Sequence, residues 1–256
     1  MLRSLVGSEM CIRDSNYRHY VTAFQHYTRI VARQIESVLE ALYSTPAGKN
    51  TIVIVLADHG DGMGSHRMVT KQVSFYEEMT NVPFIIAGPG IHPRQKPVED
   101  LLTQPTIDLL PTLCELAGIP VPSSKPGISL APFLKGEKQK RQHPYAASEW
   151  HSEYEVTVSP GRMIRSPRYK YTHYLEGNGE ELYDMLKDKG ERRNLAHDPK
   201  YSKILAEHRA LLDDYIRRTQ DDYRSLKVEA DKRWRSHAPG YPNHEGPCAR
   251  DIINRK

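Results

Sequence analysis

Between residues 17 and 43 apolar side chains recur at Tyr20, Phe24, Tyr27, Val31, Ile35, Val38 and Leu42. Steps of three and four line one face of a helix, so the pattern predicts a single long amphipathic helix. Pro46 and Gly48 end it. Residues 51–57 (TIVIVLA) then form an unbroken aliphatic and β-branched run, the pattern of a strand covered on both faces. A glycine-rich polar loop follows, then a stretch at residues 71–79 that suits a short helix. A second apolar run at residues 82–87 (VPFIIA) is stopped by Gly-Pro-Gly. Helix and buried strand in alternation predict a parallel α/β sheet.

Pro105 opens a further helix with Ile107, Leu110, Cys114 and Ala117 on one side, and Gly118 stands where a C-terminal cap belongs. Beyond Gly136 the period shortens. A charged loop (KGEKQKRQHP) leads into short stretches at residues 145–149, 162–165, 168–174 and 181–184, which predict antiparallel strands. EGNGE at residues 176–180 supplies the glycines for a hairpin turn. Residues 201–219 predict a last helix with Ile204, His208, Leu211 and Tyr215 on one face, and a tail rich in Pro, Gly and His follows.

Composition narrows the function classes. Of 256 residues 38% are hydrophobic and 27% charged, with a formal net charge of +4, the profile of a folded globular chain rather than a disordered one. The mild basic excess favours anionic ligands. The basic residues are scattered rather than gathered in a stripe, which argues against a nucleic-acid partner. Cys11, Cys114 and Cys248 lie far apart with no CxxC spacing, excluding a disulfide framework and a thiolate metal site. No apolar run reaches the roughly 18 residues of a membrane span. The opening MLRSLVGSEMCIRDS has Glu9 and Arg13 where a signal peptide needs an apolar stretch; residues 1–15 read as a non-native leader, and the destination stays open.

The stretch richest in candidate chemistry is D-H-G-D-G-M-G-S-H-R-M-V-T-K, Asp58 to Lys71, directly after the first predicted strand. Ligand sites of open α/β sheets lie beyond the carboxyl ends of strands, and Gly60, Gly62 and Gly64 allow a loop to close around an anion or a metal. Adjacent Asp58 and His59 can offer an oxygen and a nitrogen to one divalent cation if the backbone turns at Gly60. The alternative is that the pair merely caps a loop, and that His66 and Lys71 are ordinary loop residues.

Three ordered blocks bear on these readings. VLADHGDGMGSH with FYEEMTNVPFIIAGPGI, then TIDLLPTLCELAGIPVP with GISLAPFLKG, then MIRSPRYKYTHY with EELYDMLKDKGERRNLAHDP together resemble the sulfatases, over residues 16 to about 222. The resemblance implies an alkaline-phosphatase-like α/β fold: part of a sheet flanked by helices, followed by a small α+β subdomain with an antiparallel sheet. It divides the chain into residues 16–136 of a catalytic α/β domain, residues 137–222 of the subdomain, and an irregular tail at 223–256. It implies hydrolysis of a sulfate ester, of a small molecule or a carbohydrate, to an alcohol and sulfate. Asp58 and His59 would ligate a divalent cation, usually calcium, with magnesium or manganese open. Lys71, thirteen positions after Asp58, would contact the sulfate; His66 matches a His of many relatives, as a substrate contact or as a loop-packing residue. Complete relatives are often exported: periplasmic, secreted or lysosomal.

The sequence also departs from the family. The nucleophile of sulfatases is a formylglycine made within C/S-x-P/A-x-R, and no such motif occurs here. The first pair of acidic metal ligands and the upstream Lys and His are also missing, so the expectation is a C-terminal portion, inactive alone, of a longer enzyme. Trp150 and His151, after a predicted strand, are candidate substrate contacts, set against a partly buried Trp beside an exposed His. Arg162, Arg165, Arg168 and Lys170 could read a polyanionic sugar, but alternating basic residues more often mark a solvated face. A phosphonate or phosphodiester hydrolase of the same superfamily, and a non-catalytic truncated product, remain the alternatives.

Overall fold

In the computed structural model of the protein the described residues are 14–68, 74–99, 101–123, 126–139, 143–150, 160–175 and 179–226, with backbone only at 14–17 and 67. The long amphipathic pattern folds as helix α1 (Asp14–Tyr43). A 3-10 turn at Pro46–Asn50 folds back on its last turn, so closely that a Cβ on Gly48 would lie 2.8 Å from Leu42 O. The apolar stripe is as spaced in the sequence, yet Phe24, Tyr27, Val31, Ile35 and Val38 are exposed. Among the described residues no helix is long and apolar enough to cross a membrane.

The two aliphatic runs become strands β1 (Val53–Leu56) and β2 (Phe84–Ala87), with the four-residue helix α2 (Glu77–Thr80) between them. They pair with each other antiparallel, Val53 opposite Ala87 and Leu56 opposite Phe84, which corrects the parallel pairing expected from the sequence. An apolar run reports that a strand can be covered, not the direction of its neighbour. Nor is the covering complete: Leu56 is 42% and Ile85 57% exposed.

Helix α3 (Pro105–Leu116) starts and stops where expected, with Gly118 left-handed at φ 68°. Its buried face differs from the expected one. Leu110 is exposed, whereas Asp108, Pro111 and Thr112 are buried. The fully buried Asp108 carboxylate accepts hydrogen bonds from Gln104 N (2.8 Å), closing the first turn, and from Ile128 N (2.8 Å), and it pairs with His143 Nε2 at 2.7 Å. Thr112 Oγ1 donates to Asp108 O and accepts from Leu130 N, beside the short helix α4 (Ala131–Leu134). Gln104 Oε1 accepts from Ala147 N, so the polar face of α3 fastens it to the strands that follow. Apolar periodicity misjudged this face because the polar groups that hydrogen-bond Asp108 lie 20 and 35 residues away.

Strands β3 (Ala146–Trp150), β4 (Gly161–Arg165), β5 (Tyr169–Tyr174) and β6 (Gly179–Asp184) form an antiparallel sheet in chain order. Register places Ile164 opposite Tyr171 and Tyr171 opposite Leu182. These three face helix α5 (Ser202–Thr219) and form a core with Tyr145, Leu195, Leu205 and Leu212. Ile204, Leu211 and Tyr215 flank that core, so the predicted face of α5 is right but its deepest line runs through Leu205, His208 and Leu212. The predicted turn between β5 and β6 lies largely outside the described residues, but the strands meet at Tyr174 opposite Gly179, as a hairpin requires.

The fold yields one prediction about α3. Asp108→Ala leaves two buried N–H donors and His143 without their acceptor, and should lower unfolding stability by about 2–4 kcal/mol in urea titration. Glu115→Ala, on the exposed side, should leave the midpoint unchanged. A wild-type midpoint for Asp108→Ala would show that the Asp108 network is dispensable.

Candidate active site

The loop leaving β1 carries the candidate chemistry. Asp58 is exposed and His59 half-exposed. His59 N donates to Asp58 Oδ1 at 3.0 Å, and Nδ1 lies 2.8 Å from Gly60 O. A carbonyl can only accept, so Nδ1 carries a proton there; in the neutral imidazole Nε2 then has the lone pair, 3.7 Å from Asp58 Oδ2. A carboxylate oxygen and an imidazole nitrogen at that separation can be neighbours in one coordination sphere. Among the described residues no cluster of three or more His, Cys, Asp or Glu completes such a sphere.

Gly60 is needed for steric reasons: its N–H donates to Met79 O at 2.9 Å, and a Cβ there would lie 1.7 Å from Glu78 O. Asp61 Oδ1 accepts from Met63 N and from Tyr20 OH, tying the loop to α1. The turn that follows places Met63, Gly64 and His66 in the left-handed region, at φ 50°, 84° and 51°. His66 stacks on Tyr76 with ring centroids 3.6 Å apart and planes inclined by 1°. Lys71 and His151 lie outside the described residues. Trp150 closes β3 opposite Gly161, and a Cβ on Gly161 would meet the Phe75 ring at 2.6 Å. The Trp150 carbonyl accepts from Arg162 Nη1. Its indole Nε1 is buried with no protein partner among the described residues.

What the sequence reading missed is the support beneath this loop. Lys170 is 1% exposed, its ammonium 2.7 Å from Glu77 Oε1, 2.9 Å from Glu191 Oε1 and 2.8 Å from Phe75 O. Glu191 Oε2 accepts from Glu77 N at 2.7 Å, and Arg165 lies 3.7 Å from Glu77. On the other face of the sheet Arg162 forms a two-pronged pair with Asp221 and lies over the Tyr223 ring, while Arg168 pairs with Asp184. The solvated-face expectation fails for Arg162 and Lys170, which are buried against carboxylates, and holds for Arg168, which is 44% exposed while paired with Asp184.

Burial governs the titrations around the support. It raises the Tyr76 hydroxyl to about 12, with the Glu181 charge adding to the effect. Burial and then the neighbouring Glu191 carboxylate push Glu181 up to about 7, against the pull of Lys170. The Tyr183 ring lies beside that of Tyr76, centroids 6.3 Å apart.

Residues 64–218 match the family model described as N-sulphoglucosamine sulphohydrolase, C-terminal. The chain belongs to the sulfatase family. Over 243 residues, 95% of this chain and 50% of the relative, it is 75% identical to the Delta 4,5-hexuronate-2-O-sulfatase of Bacteroides thetaiotaomicron. It is 31% identical to the choline-sulfatase of Rhizobium meliloti, over 74% of this chain and 35% of that one. The structure of a 2-O GAG sulfatase superposes with a TM-score of 0.85 at 75% identity, covering 94% of this chain and 52% of the other. A phosphonate monoester hydrolase from Silicibacter pomeroyi superposes at 0.63 with 27% identity, covering 75% and 40%. This sulfatase chain thus spans about half the length of the relatives it matches. Its fold is of the family's α/β class, with the small antiparallel sheet and α5 following.

The Glu181 environment has a measurable consequence. Its carboxyl keeps its proton up to about pH 7 in the fold, against a reference value of 4.5. Between those values the folded state binds the extra proton, so stability is fullest below pH 4.5 and declines as pH rises towards 7. Glu181→Gln should remove this contribution, up to about 1.4 kcal/mol per pH unit. Chemical unfolding at several pH values checks it; parallel wild-type and variant curves would contradict it.

Proposed function

We propose that the complete protein hydrolyses the 2-O-sulfate of a hexuronate in glycosaminoglycan fragments. The 75% identity to a hexuronate-2-O-sulfatase over 95% of the chain carries this reading. In it, Asp58 and His59 hold a divalent cation, calcium before magnesium or manganese, because hard oxygen donors dominate such sites. The cation supplies positive charge against the sulfate oxygens. Lys71 sets a compact ammonium against the charge that builds on the departing ester oxygen. His66 contacts the substrate from its stacked position, and Trp150 and His151 approach it from the end of β3. The attacking group is a formylglycine outside these 256 residues, which supplies the nucleophile. Residues 16–136 contribute the loop, and residues 137–222 hold it from below.

A second reading, hydrolysis of phosphonate monoesters, is supported by the 0.63 superposition on the Silicibacter enzyme. Turnover of an unsaturated 2-O-sulfated uronate disaccharide and of an aryl phosphonate by the full-length enzyme separates the two. Faster turnover of the phosphonate would overturn the sulfatase reading.

Asp58→Ala in that enzyme should abolish bound metal, measured by elemental analysis, together with activity. Lys71→Ala should lower kcat by roughly 100- to 1000-fold, the scale for one electrostatic stabiliser. Lys71→Arg should restore little, since a planar fork replaces a point charge. A loss confined to KM would mean that Lys71 binds only the ground state.

A further inference from the structure

His66 combines two features that call for a cause. It has a side chain yet sits at φ 51° and ψ 25°, the left-handed region that residues with a Cβ rarely adopt. Its ring also lies flat on Tyr76, 3.6 Å away and parallel within 1°, although ten positions separate them. Backbone bonds within the turn, Ser65 N to Gly62 O and Gly64 N to Met68 O, close the loop but do not orient the imidazole.

Tyr76 is itself held from three directions. Its carbonyl-side neighbour Glu77 donates N–H to Glu191 and pairs with Lys170. The preceding carbonyl, Phe75 O, accepts from Lys170 Nζ. The Tyr76 ring packs beside that of Tyr183 on β6, centroids 6.3 Å apart. Lys170 and Glu191 are 1% exposed, so this mount is screened from water and geometrically stiff. Glu191 is also left-handed, at φ 50°, a second strained residue used to deliver one of the holding groups.

We propose that Tyr76 is a positioning residue of the active site, fixing the His66 imidazole by ring stacking and passing to it the rigidity of the sheet that carries Lys170 and Tyr183. The inference rests on the substrate contact assigned to His66 above. It adds that the antiparallel sheet acts on the reaction through a specific ring pair, and that stacking rather than the hydroxyl carries the effect.

The test uses the full-length enzyme, with kcat and KM on the 2-O-sulfated disaccharide and NMR of its labelled histidines. His66→Ala should lower kcat/KM at least 10-fold. Tyr76→Leu should do the same and move the His66 ring resonances downfield as the aromatic ring current disappears. Tyr76→Phe should recover most of the loss. The double variant Tyr76→Leu/His66→Ala should be no worse than His66→Ala alone, because Tyr76 acts only through His66. Wild-type activity of His66→Ala would remove the role assigned to His66, and this proposal with it. An impaired His66→Ala beside an active Tyr76→Leu, additive losses in the double variant, or unmoved His66 resonances would overturn the positioning role while leaving that of His66 intact. Should Tyr76→Leu fail to fold, Tyr76→Met, a flexible apolar side chain without a ring, replaces it in the same comparison.

Discussion

The buried ammonium of Lys170 ties the candidate site to the rest of the chain. An unpaired charge at that depth would be prohibitive, and two carboxylates and a carbonyl surround it instead. The three partners come from different places: Phe75 and Glu77 from the segment after the site loop, Glu191 from the turn after β6. Burial of one cation therefore forces them together. Glu191 Oε1 meets Lys170 as an ionic contact without a well-directed hydrogen bond, while Oε2 is spent on Glu77 N–H. The arrangement is costly to desolvate, and its return is geometric definition more than net stability.

This constraint explains why the sheet is covered on both sides. Residues two apart in a strand share a face, so Ile164, Tyr171 and Leu182 meet α5 while Met163, Lys170, Thr172, Glu181 and Tyr183 look the other way. One face is apolar and closes a core; the other is polar, yet buried, and receives the Phe75–Glu77 segment. Burial, and then the neighbouring Glu191 carboxylate, keep Glu181 protonated towards neutrality, which spares the cluster an excess of negative charge. Arg162 with Asp221 and Asp108 with His143 repeat the principle elsewhere: a buried charge meets a partner distant in sequence and thereby fixes a chain crossing.

The other end of the molecule is organised differently. Helix α1 carries an apolar stripe and β1 and β2 are aliphatic runs, yet Tyr27, Val38 and Ile85 remain more than half exposed. What anchors this region to the site is polar: Tyr20 to Asp61, and Gly60 to Met79. Exposed apolar surface around a loop that is itself well fixed is consistent with a chain spanning about half of the relatives it matches.

The amino-acid sequence by itself determined the existence and extent of the elements. Hydrophobic period located α1, β1, β2, α3, the four late strands and α5, and the three ordered blocks pointed to the family and to the stretch at residues 58–71 as the candidate site. These are properties of neighbouring residues, set by backbone geometry at short range. Only the tertiary structure decided the antiparallel pairing of β1 with β2, the polar inward face of α3, and the burial of Arg162 and Lys170. It alone brought Tyr76 onto His66 and Glu191 onto Glu77. Period reports which side chains share a face, but a charged residue is buried or solvated according to whether a partner waits there. For Lys170 that partner is 21 residues ahead and another 93 behind, a relation that no local pattern encodes.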